Sequence, residues 1–265
     1  MIRAMLSVGV DVSSQPAGTA ACWVRWEGGG ATIDRVEHQL DDQRLTAVLT
    51  EPVAKIGLDV PLGWPDDFVD AVVRHHASRP FGDPPKGRLA RRETDTWVHD
   101  RIKQMPLSVS TDRMAYPAMR MARLLGESLG EPVDRTGAGK VVEVYPAAAL
   151  RVWGLPHRGY KGAAGRALLG EILSELRHRC PWLLAGDATW MEVRRSDHAF
   201  DALVCALVSR AHQRGLCHPI PLELRAAAAR EGWIAVPVPG SLDSLGQGGA
   251  DGPLAYARSD HGERG

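Results

Sequence analysis

The pattern of apolar and polar positions over the first 60 residues predicts three strands, a helix and a fourth strand. Residues 6–11 form a continuous apolar segment typical of a buried strand, and residues 19–26 alternate with the period of a sheet. A glycine-rich turn leads into a third predicted strand at 31–37. Leucine and valine at helical spacing in 41–50 then precede another buried strand pattern at 54–59. The predicted order is therefore βββαβ.

The middle of the chain has a different pattern. Residues 66–139 contain polar helical stretches interrupted by prolines, without a clear strand, and this predicts a helical insertion. A strand pattern returns at 140–145, and Pro146 suits the first turn of a short helix. Apolar stripes then predict two long helices, at 162–180 and 197–212.

These segments predict one mixed α/β domain over residues 1–237. A final short element is expected at 231–234. From residue 238 to 265 the chain is rich in Gly, Ser and Asp, and we expect this tail to be disordered.

The composition is typical of a folded protein and narrows the function classes. Hydrophobic residues make up 44% of the 265-residue chain, and 32 Lys and Arg balance 32 Asp and Glu. The apolar runs are far shorter than the roughly 20 residues that span a bilayer, and no secretory signal is evident, so we expect a cytoplasmic protein without a membrane span. The cysteines and histidines form no CxxC or HExxH pattern, which argues against a zinc site.

Two nearly identical tetrapeptides end the first and fourth predicted strands: GVDV at 9–12 and GLDV at 57–60. Asp is depleted in strands, and the carboxyl ends of strands are where open α/β sheets bind ligands. Either aspartate alone is better explained as the cap of a turn or helix. Because strands one and four of a βββαβ unit are plausible sheet neighbours, we expect Asp11 and Asp59 to converge.

A third carboxylate comes from the predicted helix at 197–212. Asp197 and Asp201 lie on one flank of its apolar stripe. Stabilisation of the helix dipole explains Asp197 well and Asp201 less well. Glu143 alternates with valines on the fifth strand, where it is either a further ligand, a base that orients water, or a solvent-facing residue.

Three carboxylates that meet need a compensating charge. Two unit charges about 4 Å apart repel by roughly 4 kcal/mol at an effective dielectric of 20. A hard divalent cation, Mg²⁺ or Mn²⁺, removes this repulsion, and two such ions about 4 Å apart would promote hydrolysis of a phosphodiester.

Seven short motifs occur along the chain in a characteristic order. They are GVD at 9–11, DVPLGWP at 59–65, RETD at 92–95, EVYP at 143–146, YKG at 160–162, DAL at 201–203 and EGWI at 231–234. In these motifs the sequence resembles domain-of-unknown-function family 429, whose members are predicted nucleases similar to RNase H. The resemblance implies an RNase H-like fold in which Asp11, Asp59 and Asp201 coordinate the metals. No acid in the 41–50 helix matches the second RNase H acid, so Glu143 or Asp197 is expected to replace it.

Substrate contacts are expected from the insertion. Between Lys86 and Arg123 there are nine cations and four acids, which would suit a phosphate-binding wall or, equally, solvated helices of mixed charge. Arg92 and Asp95 belong to one of the family motifs and are also spaced to pair with each other. Lys161 and Arg166 are further candidates for phosphate contacts, although surface placement is the simpler explanation for both.

Three functions follow as hypotheses. The first is a metal-dependent nuclease. The second is an ATP-dependent phosphotransferase of the actin-like or sugar-kinase type, because Asp11-Val12-Ser13-Ser14 followed by Gly18 resembles a first phosphate loop, with 137–140 as an imperfect second one. The third is a nucleic-acid-binding module that has the same fold without catalysis.

Overall fold

The computed structural model describes residues 5–130 and 132–247. These residues form a mixed α/β fold around a seven-stranded sheet. The strands are β1 Met5–Asp11, β2 Ala20–Glu27, β3 Gly30–His38, β4 Lys55–Asp59, β5 Val141–Val144, β6 Leu183–Leu184 and β7 Ile234–Ala235. The helices are α1 Asp42–Thr50, α2 Asp66–His76, α3 Lys86–Ala90, α4 Glu93–Ile102, α5 Ala115–Leu129, α6 Pro146–Val152, α7 Arg166–Arg179, α8 Asp187–Arg194, α9 Asp197–Gln213, α10 Arg225–Glu231 and α11 Ser241–Leu245.

The strand order across the sheet is β6-β3-β2-β1-β4-β5-β7. The first three strands form an antiparallel meander, and β4 lies parallel to β1 on its other side. Strands β5 and β7 extend the sheet in the same direction. The predicted βββαβ order and the predicted neighbourhood of β1 and β4 are therefore confirmed.

The core lies on both faces of the sheet. One face packs against α9, with α7 and α8 beyond it, and contains Cys22, Val24 and Phe200. The other face packs against α1 and α5 and contains Val8, Val10 and other apolar side chains. This two-sided burial explains why β1 and β4 are almost continuously apolar in sequence.

Helix α9 lies unusually close to the sheet, and two glycines permit this. Gly9 and Gly57 are register partners on β1 and β4, and a Cβ at either position would overlap the backbone of α9. Side chains two residues apart in a strand share a face, so Asp11 and Asp59 point to the same side of the sheet as these glycines. The repeated Gly-x-Asp pattern thus brings α9 and both aspartates together.

The region between β4 and β5 contains α2 to α5, in agreement with the predicted helical insertion. The start of the predicted tail is different. Residues 241–245 form α11, whose Leu242 and Leu245 are buried in the core beside α9, so the tail is not disordered from residue 238. The rest of the predicted tail, from 248, lies outside the described residues. Across the described part of the chain, the helices are too short or too polar to cross a membrane.

Candidate active site

Two aspartates lie side by side at the carboxyl end of the sheet. Asp11 ends β1 and Asp59 ends β4, and the two are partners in the parallel register. Both line a cleft of about 460 Å³, which is also lined by residues from the loop after β1, the insertion and the start of α9. The predicted convergence of these two carboxylates therefore holds in the structure.

Asp201 reaches the same end of the sheet from α9. The helix begins after Ser196, whose hydroxyl accepts a hydrogen bond from the backbone N–H of Ala199 at 3.1 Å and so fixes the first turn. Asp201 is completely buried, one turn further along. Its carboxylate lies beneath the cleft, within range of the charges of Asp11 and Lys161.

Two side chains from the segment before α7 bind the Asp201 carboxylate. The Tyr160 hydroxyl donates to Oδ1 at 2.7 Å, and the Lys161 ammonium lies 2.7 Å from Oδ2. Burial raises the pKa of Asp201 to about 6, against the opposing effect of Lys161. Lys161 is about half exposed and lines the cleft, so it bridges the buried acid and the open space above it.

Asp59 is the least compensated carboxylate of the group. Burial raises its pKa well above the ordinary value, and the negative charge of Asp11 raises it further, while Lys161 acts in the opposite direction. No described residue, Lys161 included, forms a hydrogen bond or an ion pair with the Asp59 carboxylate. An acid at the edge of a cleft with a raised pKa and no partner is a typical mark of a functional site.

His198 contributes a contact that the sequence reasoning missed. Its Nδ1 lies 2.7 Å from Oδ2 of Asp11, and the side chain is partly exposed in the cleft. This hydrogen bond raises the pKa of His198, and burial opposes the effect. The signal in the sequence was the spacing, because His198 and Asp201 are three residues apart and share a helix face.

A second acidic group lies beside the first and is fully paired. Glu143 on β5 accepts two hydrogen bonds from Arg92, at 2.7 and 2.8 Å, and one from the backbone N–H of Leu62 at 2.9 Å. Arg92 also binds Asp95 at 2.9 Å, and all three charged side chains are buried. Burial raises the pKa of Glu143, and Arg92 acts against this shift.

This arrangement changes the expected roles of several residues. Arg92 binds both Asp95 and Glu143. Arg92 and Glu143 line the cleft and Asp95 does not, so a substrate contact by Arg92 stays a prediction. Arg166 is exposed at the start of α7 and does not line the cleft. Asp197 does line it, at the first turn of α9.

The carboxylates fit a hard cation by their chemistry but do not form a ready-made site. Within residues 5–130 and 132–247, no group of three or more His, Cys, Asp or Glu side chains is arranged to hold a metal ion. The Lys161 ammonium is the positive charge nearest to Asp201 among the described side chains. Partial removal from water lowers the pKa of Lys161, but the charges of Asp201, Asp59 and Asp11 outweigh this and raise it.

A family model described as a protein of unknown function, DUF429, matches residues 9–225. The chain belongs to the DUF429 family. The match includes Asp11, Asp59, Glu143, Lys161 and Asp201, so the whole candidate site lies within the DUF429 region. No curated protein and no solved structure matches the chain. The EGWI motif at 231–234 lies beyond the DUF429 match.

Proposed function

We propose that this DUF429 chain is a metal-dependent phosphodiesterase that acts on nucleic acid. The observation that carries the proposal is the meeting of Asp11, Asp59 and Asp201 at one end of the sheet, where burial and mutual repulsion raise the pKa values of Asp59 and Asp201. Such a group is stabilised by positive charge, and phosphodiester hydrolysis is a reaction that divalent ions on carboxylates promote.

The order of the elements supports an RNase H-like interpretation of the fold. Three antiparallel strands are followed by a helix and a strand parallel to the first, and the acids lie on strand one, strand four and a long late helix. Helix α9 is followed by α10 and α11, so it is the last long helix and not the last helix of the described chain.

Asp11, Asp59 and Asp201 would hold Mg²⁺ or Mn²⁺, with Asp197 as a further candidate at the cleft. The ion would supply an activated water and a charge that stabilises the leaving oxygen. Glu143 has both carboxylate oxygens engaged by Arg92, and one of them also by Leu62. The proposal therefore gives Glu143 a positioning role, and no longer that of a base.

Lys161 and His198 have roles of their own in this proposal. Lys161 compensates the charge of Asp201 and stands at the cleft, where its ammonium would attract a phosphate. His198 holds the Asp11 carboxylate by a hydrogen bond and fixes its orientation.

The test is cleavage of labelled single- and double-stranded DNA and RNA in Mg²⁺ or Mn²⁺. We expect Asp59→Asn to abolish cleavage without unfolding the protein, while Asp70→Asn, on the exposed side of α2, leaves cleavage unchanged. Equal turnover by the wild-type protein and Asp59→Asn would refute the proposed role of the site.

One observation bears on the phosphotransferase alternative. Ser13, Ser14 and Gly18 line the cleft beside Asp11, as a first phosphate loop would. The candidate second loop does not join them, because Lys55 at the start of β4 donates hydrogen bonds to the carbonyls of Gly137 and Gly139, at the other end of that strand from Asp59.

Stabilisation by ATP in a thermal melt would favour the phosphotransferase alternative. Binding of nucleic acid in EDTA, without cleavage when metal is added, would favour a non-catalytic module.

A further inference from the structure

The cleft has an apolar side that the proposed hydrolysis does not use. Pro106 and Leu107 come from the loop between α4 and α5, Met114 directly precedes α5, and Pro117 lies in the first turn of α5; all four line the cleft that contains Asp11. We call these four residues the apolar wall. Leu107 is 42% exposed, so a large apolar side chain faces solvent in a cleft that also contains carboxylates. A mixed lining of this kind is typical of a small-molecule site.

The cations of the insertion are not arranged as a track for a nucleic-acid backbone. Six of the nine between Lys86 and Arg123 are engaged by other residues, through the following contacts: Arg88 with Asp67, Arg91 with the Pro106 carbonyl, Arg92 with Glu143, Arg101 with His218, and both Arg120 and Arg123 with Asp42. Strong binding of duplex DNA depends on many free phosphate contacts. These pairings therefore argue against a duplex held along the insertion.

Arg113 is different from those six cations. It lines the cleft, it is exposed, and no described residue forms a hydrogen bond or an ion pair with it. It stands directly before Met114 in the chain, so a free cation and the apolar wall are adjacent. Lys161 lines the same cleft and is about half exposed. Two cations in the cleft that contains the apolar wall suit a ligand with one phosphate and one flat apolar part.

We infer that the cleft binds a single unpaired nucleotide, with its base against the apolar wall and its phosphate near Arg113 and Lys161. The inference rests on the proposed function and specifies its substrate. A volume of about 460 Å³ lies within the range of sites that enclose one small ligand, far below that of a duplex. Bases bind apolar and aromatic surfaces through their faces, which a base pair inside a duplex does not present. The nucleotide is either free or the end of a single strand.

Calorimetric titration tests the inference in EDTA and again in Ca²⁺. The ligands are a nucleoside monophosphate, ribose 5-phosphate, a short single-stranded oligonucleotide and a blunt hairpin duplex of equal charge. We expect the nucleoside monophosphate to bind at least about fivefold more tightly than ribose 5-phosphate, because only the former has a base. We also expect the single strand to bind more tightly than the hairpin. A stronger signal for the oligonucleotide than for the monophosphate would identify a strand end as the ligand.

Matched variants locate the binding. Met114→Ala is expected to weaken nucleoside monophosphate binding about fivefold and to leave ribose 5-phosphate unchanged, whereas Met119→Ala changes neither. Met119 is 55% exposed on the same helix and does not line the cleft. Arg113→Ala is expected to weaken the binding of the nucleoside monophosphate and of ribose 5-phosphate by a similar factor.

Equal affinity for the base-containing and base-free phosphates, or tighter binding of the hairpin, would overturn the inference, as would a lack of binding in both conditions. These results are separate from the cleavage assay. A protein that prefers unpaired nucleotides but never cuts them would support the inference and contradict the proposed hydrolysis.

Discussion

Two acidic groups lie next to each other at the carboxyl end of the sheet, and they differ in how their charge is compensated. In the group of Glu143 and Asp95, a buried arginine binds both carboxylates through paired hydrogen bonds. In the group of Asp11, Asp59 and Asp201, Asp59 has no partner among the described residues and its pKa is strongly raised. The groups belong to neighbouring strands, since Glu143 is the register partner of Leu58, one residue before Asp59.

This difference distinguishes charged side chains that stabilise the fold from charged side chains that remain free to bind a ligand. A buried charge is tolerated when it is paired and hydrogen-bonded, and the Arg92 group meets that condition. In the aspartate group Asp59 does not meet it, because the lysine and the histidine of the site pair with Asp201 and Asp11. We therefore expect the folded protein to lose stability when Arg92 is removed from the first group. We expect it to gain stability when the Asp59 carboxylate is removed from the second.

The largest effect is expected for Arg92→Ala. This change leaves Glu143 and Asp95 buried without their shared cation, and breaking a buried pair costs about 3–5 kcal/mol. The measurement is the free energy of unfolding by chemical denaturation. Arg88→Ala is the control: Arg88 is exposed and pairs with Asp67 at the surface, so it should cost less than about 1 kcal/mol. Similar losses for the two variants would show that the Arg92 group does not stabilise the fold.

Asp59→Asn is expected to have the opposite effect, an increase in the free energy of unfolding at neutral and higher pH. The raised pKa means that the folded protein holds the proton on Asp59 more tightly than the unfolded chain does. Wild-type stability therefore falls, relative to the variant, as the pH rises from near 4 through the raised pKa. At low pH both side chains are neutral and the two proteins should be equally stable. In EDTA at pH 8, the variant should therefore have the higher free energy of unfolding.

Urea unfolding between pH 4 and pH 8 measures this difference. Asp70→Asn, at an exposed position of α2, is the control that should show no such trend. A wild-type protein that gains stability relative to Asp59→Asn as the pH rises would contradict the account.

A smaller effect is expected for Lys161→Met. The Lys161 ammonium is attracted by Asp201, Asp59 and Asp11, so it competes with any added cation for the same carboxylates. Its removal should tighten Mn²⁺ binding several-fold, measured by calorimetry, while Lys86→Met at the exposed start of α3 has no effect. Weaker Mn²⁺ binding by Lys161→Met would show that Lys161 and the ion do not compete.

Local patterns were enough to predict the central part of the fold. The repeated Gly-x-Asp pattern at Asp11 and Asp59 indicated two strands with aligned ends, and the structure adds that Gly9 and Gly57 admit α9. Two other features were out of reach. Strand β6 has two residues and is too short to show a period, and the apolar Leu242 and Leu245 of α11 stand in a Gly-rich sequence.

The candidate site was predictable only where the acids follow strong patterns. The pairing of His198 with Asp11 joins residues 187 positions apart. The three-residue spacing of His198 and Asp201 places both on one helix face, but it does not identify Asp11 as the partner of His198. The same limit applies to Arg92. Its polar motif is typical of an exposed helix, yet the side chain is buried and binds Glu143, 51 positions away. Burial of Arg92 depends on how the insertion packs against β5, and periodicity does not report that packing.

The central claim is that the Asp11, Asp59 and Asp201 group holds a divalent cation, and Mn²⁺ titration followed by electron paramagnetic resonance tests it most directly. The account predicts saturable binding by the wild-type protein, at least tenfold weaker binding by Asp59→Asn, and no change for Asp70→Asn. Equal Mn²⁺ affinity for the wild-type protein and Asp59→Asn would contradict it.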